Sequence, residues 1–244
     1  MSGAKKFQNR IYLKEKISKN LSIQLDDYHY RYLSKVLRMK DGDSIAVFNE
    51  ADGQWHAEIK NVDKRTAYLL ICEFLEHPRA TPKLTLFFAP VKNPNTSFYI
   101  QKATELGVSD IVPIITKRTI VRSLNLEKSR LVALEATEQS ERFYTPKIHE
   151  AITLKQIDQL SINKIFFCDE AVTEISNTSI QMIAGAKTSN DAIIIGPEGG
   201  FDNEERAYLR SLPNVVPISL GENILRAETA MIASLAIYNA VPKK

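Results

Sequence analysis

The chain has 244 residues, 44% apolar and 25% charged, the balance of an ordinary globular protein long enough to bury a sizeable core. Residues 1–10 carry charge with no apolar stretch behind them, so no secretory signal is expected, and no run approaches the roughly 18 apolar residues of a membrane span. The net charge of +3 lies wholly in residues 1–82, where 14 Lys and Arg face 11 Asp and Glu, whereas residues 83–244 hold 18 of each.

That excess points mildly to a polyanionic partner for the N-terminal third, but on this count alone three surplus charges read more readily as solubilising surface. Short runs open the chain: RIYL, SIQL, SIAVF, WHAEIKNV and AYLLICEF read as strands. Between the second and third, Tyr28, Tyr32, Leu33, Val36 and Leu37 recur at helical spacing, with Asp26 or Asp27 as cap and Asp41-Gly42 as the closing turn. Strands around one helix predict a small β-barrel over residues 1–75. EHPRATP, residues 76–82, reads as a linker.

From there the pattern alternates. LTLFFAPV precedes a helix over 97–106, IVPII a helix over 126–142, and KIFFCDE a helix near 178–185. AIIIG then precedes a helix over 203–212, and VVPISLG one over 224–240. Fully apolar strands alternating with helices predict a parallel α/β sheet over 76–244, covered on both faces. Cys72 and Cys168 sit in apolar strands without metal-ligand spacing and are expected to be buried, reduced thiols of a cytoplasmic protein.

Two strand ends carry the chemistry. In IIIGPEGGFDNEE, residues 193–205, an apolar run stops at a proline, glycines and Glu198. Ligands of open α/β sheets bind outside the carboxyl ends of strands, and glycine lets backbone approach them closely. Asp202 is placed to cap the next helix, with Glu205 as the capping-box acid. The loop is neither a Walker loop nor a GxGxxG fingerprint, and an acidic residue suits a cationic or hydroxyl-rich ligand better than phosphate. In SLGENILRAETA, residues 219–230, Arg226 and Glu228 open an otherwise apolar helix. Glu198 and Arg226 are expected to lie close enough to pair; a structural ion pair between two loops and a reactive site both remain open at this point.

HYRYLSKVLRMKDGD, QKATELGV, EATEQSER, IGPEGGF and LGENILRAETA, in that order along nearly the whole chain, resemble the RsmE family of SPOUT methyltransferases. The resemblance implies a PUA-like RNA-binding β-barrel over 1–75 and an α/β SPOUT domain with a deep trefoil knot over 76–244. It also implies a homodimer. The implied reaction is S-adenosyl-L-methionine-dependent methylation of N3 of uridine 1498 in 16S ribosomal RNA of the small subunit, with no metal and no membrane. Arg226 and Glu198 are the implied catalytic residues. The cofactor is expected against Glu170, Gly196, Pro197, Glu198, Gly199, Gly200, Ser219, Leu220, Gly221, Ile224, Leu225 and Thr229. RNA contacts are expected from Arg10, Lys35, Arg38, Lys92, Arg118 and Arg142, the last at the end of its helix. One departure stands out: after Pro90-Val91-Lys92 comes Asn93-Pro94-Asn95-Thr96, without the arginine many relatives carry. A non-catalytic RNA-binding protein and a Rossmann-like enzyme are the alternatives, the second disfavoured by the missing glycine fingerprint.

Overall fold

The structure is a computed structural model that describes residues 7, 9–63, 66–80, 82–91, 95–172 and 178–242. The chain divides into two compact units, one made of residues 1–80 with 137–144, the other of 81–136 with 145–244.

In the first unit five strands form one sheet in the order β1-β3-β4-β5-β2. They are β1 Arg10–Tyr12, β2 Ser22–Gln24, β3 Ser44–Asn49, β4 Gly53–Lys60 and β5 Tyr68–Glu76. Only β1 pairs in parallel, on β3. The β3–β4 hairpin turns on Asn49, whose side-chain oxygen accepts from the amides of Ala51 (3.0 Å) and Asp52 (2.6 Å). Gly53 follows at φ +80, and a Cβ there would lie 2.4 Å from the carbonyl oxygen of Glu76. Inward residues such as Ile11, Ile45, Val47, Ile59, Leu69 and Ile71 build the core.

Helix α1, Asp27–Arg31, is capped by Asp26, which accepts from the amide of His29 at 2.8 Å. It runs into a π-helical turn, Tyr32–Val36, and packs on the core through Tyr30 and Leu33. Arg10 lies 3.4 Å above the Phe48 ring and donates to the carbonyl of Arg142 at 2.7 Å, while the Tyr12 amide donates to Glu138 at 2.8 Å. Residues 137–144 thus cover one side of the barrel.

The second unit has an all-parallel main sheet in the order β12-β10-β11-β6-β7-β8, with β9 on β7. Its strands are β6 Lys83–Phe88, β7 Asp110–Ile115, β8 Lys147–Ile148, β9 Ile152–Thr153, β10 Lys164–Cys168, β11 Asn190–Ile195 and β12 Val215–Ile218. The central strands are apolar on successive residues because both faces are covered: Phe88, Phe166, Ile193 and Ile195 point into one core, Phe87, Phe167, Ala192 and Ile194 into another. The helices are α2 Asn95–Glu105, α3 Leu126–Gln139, α4 Ser179–Ala186, α5 Asn203–Ser211 and α6 Ala227–Ala240, with a 3-10 turn at Leu154–Gln159.

Three expectations are corrected. α3 ends at Gln139 rather than 142, because Glu141 turns to φ 56, so Arg142 lies beyond the helix. α6 begins at Ala227 rather than 224, and Arg226 is its N-cap, extended at φ −62, ψ 152, instead of a first-turn residue. Both cysteines are free and, as whole residues, partly exposed, although the Cys168 thiol itself is enclosed. β8, β9 and the 3-10 turn, too short to show a periodicity, were not anticipated by the sequence pattern.

Candidate active site

The carboxyl ends of β10, β11 and β12 open together onto a crevice of about 420 Å³, within the range of small-molecule sites. Three loops line it: Asp169 and Glu170 after β10, Gly196, Pro197, Glu198 and Gly200 after β11, and Ser219–Arg226 after β12.

The β11 loop is pinned at both ends. Phe201 is buried and meets Phe167 edge-on at 5.2 Å. Gly196 gives the ring its room, since a Cβ there would stand 2.7 Å from Phe201 Cε2. Gly200, at φ +68, returns its amide to the Pro197 carbonyl at 2.8 Å. Beyond it the predicted capping box is formed: Asp202 accepts from the Glu205 amide at 2.8 Å, and Glu205 accepts from the Asp202 amide at 3.0 Å. Glu205 also accepts from the Lys117 amide at 2.7 Å, and the Lys117 ammonium sits 2.6 Å from Asp202. Lys117, with the Glu205 amide, holds the Asp202 carboxyl below the usual carboxylate range. Arg118 donates to the carbonyl of Gly199.

The β10 loop is fixed by α5. Asp169 is 1% exposed, a buried carboxylate that must be compensated. It accepts from Arg210 Nε at 2.8 Å and Nη2 at 2.5 Å, and from the Ala171 amide at 3.0 Å. Arg206 stands 3.5 Å from the same carboxylate, donates to the Phe201 carbonyl at 3.2 Å, and pairs with Glu170 at the crevice rim. One arginine therefore ties the β10 loop to the β11 loop. Cys168, at the end of β10, has its thiol enclosed, and burial pushes its pKa up to about 12.

In the β12 loop, the Ser219 carbonyl accepts from Ser179, and Gly221 stands at φ +122 with open space where a Cβ would be. Ile224 is 87% exposed. Glu198 and Arg226 both line the crevice and are exposed, and the ion pair that the sequence left open for them is not formed among the described residues. Their charged ends are thus left to water and to whatever enters. Behind α6, Tyr99 stacks on Phe88 at 5.4 Å with its hydroxyl buried and unpartnered; burial, then Glu228 and Glu198, raises its pKa.

Of the residues expected around the cofactor, Glu170, Gly196, Pro197, Glu198, Gly200, Ser219, Leu220, Gly221, Ile224 and Leu225 line the crevice, as does Arg226; Gly199 and Thr229 do not. Glu228, noted in the sequence beside Arg226, joins them, as do Asp169 and Asn223, which were not singled out from sequence. The acid directly after an apolar strand was the available sign for Asp169.

Among the cations expected on RNA, Lys35, Arg38 and Arg118 are exposed. Arg10 and Arg142 are half-buried, and desolvation lowers both to about 10. Lys92 lies outside the described residues. In the first unit, His56, Glu58 and Cys72 bring possible metal-ligand atoms within 4.8 Å of one another, with Glu58 already 2.9 Å from Lys60.

A crevice walled by three strand-end loops of a parallel sheet is the place where α/β enzymes take their ligands. The family model for the RNA methyltransferase domain matches residues 78–239, and that for the RNA methyltransferase PUA domain matches residues 25–72. Ribosomal RNA small subunit methyltransferase E of Rickettsia conorii is 38% identical over 229 residues, 93% of each chain. The protein of the same name from Synechocystis is 30% identical over 224 residues, 90% of this chain and 73% of its own. A Legionella pneumophila methyltransferase solved with bound SAM superposes with a TM-score of 0.82 at 29% identity, covering 95% of this chain and 96% of that one. The Neisseria gonorrhoeae ribosomal RNA small subunit methyltransferase E, bound to S-adenosyl methionine, gives 0.81 at 26% identity, covering 93% and 95%. The chain belongs to the ribosomal RNA small subunit methyltransferase E family, the RsmE branch of the SPOUT methyltransferases.

Proposed function

We propose that this chain methylates N3 of one uridine of 16S ribosomal RNA, position 1498 by the family resemblance, with S-adenosyl-L-methionine as donor. The observation that carries the reading is the crevice itself: Glu198 and Arg226 reach it unpaired to one another, from loops fixed by α5 and α6. The relatives' names and the two cofactor-bound structures support the donor and the substrate class.

The residues fit such a donor. Gly221, with open space where a Cβ would stand, leaves backbone accessible, and the crevice mixes apolar side chains with carboxylates able to face a sulfonium or a ribose. When bound, the cofactor supplies an electrophilic methyl group. Backbone groups around Leu220, Gly221 and Leu225 would hold the adenine, and Glu170, oriented by Arg206, would face the ribose hydroxyls. The Arg226 guanidinium keeps its charge and donates in a fork, so it stabilises negative charge growing on the uracil carbonyl oxygens beside N3. Glu198 or water would take the N3 proton, and the methyl would pass to N3 as the sulfur–methyl bond breaks, with the neutral thioether as leaving group. The uridine must leave its stack to reach the loops.

Lys35, Arg38, Arg118 and Lys92 are assigned to phosphates. Arg10 and Arg142 are assigned to the packing of the first unit, because their heads are desolvated there. The RNA-binding role of residues 1–75, the homodimer and the trefoil knot belong to the same proposal, supported by the fold shared with the cofactor-bound methyltransferases. No described helix is long and apolar enough to cross a membrane; a cytoplasmic site of action follows from the ribosomal substrate.

The test combines the purified protein, labelled S-adenosyl-L-methionine and unmethylated small subunits. 3-Methyluridine at one position, abolished by Arg226→Ala in a folded variant that still binds cofactor, is the expected result. Cofactor binding without transfer to subunits or to naked 16S RNA would refute the substrate assignment.

A further inference from the structure

One face of the first unit has no part in the barrel core. α1 and the π-helical turn bury Tyr30 and Leu33, 7% and 2% exposed, while Tyr28 is 40% and Val36 66% exposed on the other side. Arg31, Lys35 and Arg38 are exposed with them. Tyr28 and Tyr32, four residues apart, hold their rings within 8° of parallel, centroids 6.5 Å apart. Tyr32 is half-buried against the core and so anchors the pair. Between Arg31 and Lys40 the sequence has four cations and no acid.

The backbone beneath is unusual twice over. Single π turns are rare and gather at functional sites. Arg38, directly after the helix C-cap Leu37, stands at φ 54, and the following Met39 amide returns to the Leu33 carbonyl at 2.9 Å. That is the position where helices place glycine, which adopts it without a Cβ penalty. An arginine held there against its own conformational preference calls for a role of its side chain.

We propose that this face is a stacking platform for single-stranded RNA: one unpaired base lies on Tyr28, and Lys35 and Arg38 neutralise the phosphates on either side of it. The proposal rests on the RNA substrate argued above and names where that RNA is held. A flat aromatic surface among cations matches an unstacked base with its backbone. Duplex RNA does not fit, since its base faces are closed within the stack.

The experiment compares the full-length protein with Arg38→Gly, Lys35→Ala and Tyr28→Ala. It reads melting temperature, S-adenosyl-L-methionine affinity by calorimetry, and anisotropy of a labelled single-stranded 16S fragment and of a duplex. Arg38→Gly is expected to raise Tm by about 2–4 °C and to weaken single-strand binding by roughly 3- to 10-fold, with a salt slope lower by about 0.7. Tyr28→Ala is expected to weaken it by about 5-fold or more, and no variant changes cofactor affinity. Tyr28→Ala and Arg38→Gly binding the single strand like wild type, while wild type still methylates subunits, overturns the platform alone. A wild type that neither binds the RNA nor methylates it overturns the underlying functional reading as well. A lower Tm in Arg38→Gly overturns the strain argument and makes Arg38 a structural residue.

Discussion

Adding one methyl group at Gly196 tests how the loop after β11 is held. A Cβ there would lie 2.7 and 2.9 Å from two ring carbons of Phe201, 0.7 and 0.5 Å inside the 3.4 Å where ordinary contact begins. The ring has little freedom to yield. It is 2% exposed, meets Phe167 edge-on at 5.2 Å, and belongs to a cluster with Phe87, Ala192 and Leu209. Overpacking of this kind costs about 1–3 kcal/mol. A central 2 kcal/mol lowers Tm by roughly 4–8 °C in a protein of this size. Phe201→Leu removes the ring edge at a cavity cost of its own. In the Phe201→Leu background, Gly196→Ala should cost less than about 0.5 kcal/mol, a coupling of about 1–2 kcal/mol between neighbours. Urea denaturation of the four proteins of this cycle measures it, and cofactor affinity follows the same order because the displaced segment lines the crevice. Strict additivity would refute the reasoning: the ring would then not be what Gly196 accommodates.

Other expectations follow from the same geometry. Asp169→Asn removes the charge that Arg210 and Arg206 share, and is expected to raise KM for S-adenosyl-L-methionine about 10-fold with a much smaller change in kcat; unchanged KM would mean the β10 loop does not need these arginines. Gly53→Ala meets both a φ of +80 and the Glu76 carbonyl at 2.4 Å. It is expected to destabilise the first unit by at least about 2 kcal/mol, read as lost amide protection across β4 and β5. The Cys168 thiol titrates at about 12 in the folded protein against 9.0 for an ordinary one. Unfolding therefore releases a proton between those values, and this group's contribution, complete below pH 9.0, is lost as pH rises towards about 12. Cys168→Ala should flatten that part of the stability profile, and at pH 8 Cys168 should alkylate far more slowly than a free thiol peptide.

The strands of the parallel sheet were legible because each is an apolar run with a clear end, and both faces of the sheet are covered. The Asp202–Glu205 cap was legible because its two residues are neighbours in sequence. Contacts across long separations were not. Asp169 meets Arg206 and Arg210 from 37 and 41 residues away, and nothing local in KIFFCDE announces them. The start of α6 was misplaced because Ile224 and Leu225 continue its apolar spacing; in the structure they line the crevice instead. Arg226 gave no capping sign, as its side chain makes no cap hydrogen bond. The Glu198–Arg226 pair, one of two readings open from the sequence, rested on the cost of burying charge, and that cost does not arise at two exposed positions.

The first unit is discontinuous in the chain, and this sets an order of events during synthesis. Residues 1–80 leave the ribosome roughly sixty residues before 144, several seconds earlier at about 5–20 residues per second. Until then the Phe48 ring lacks Phe143, which it meets at 6.0 Å, and Arg10 lacks the Arg142 carbonyl. The nascent barrel must wait with an open flank while part of the second unit is being made. A fragment cut at residue 80 would be frozen at that stage, so an excised N-terminal unit needs 137–144 grafted to it before it can be expected to stand alone.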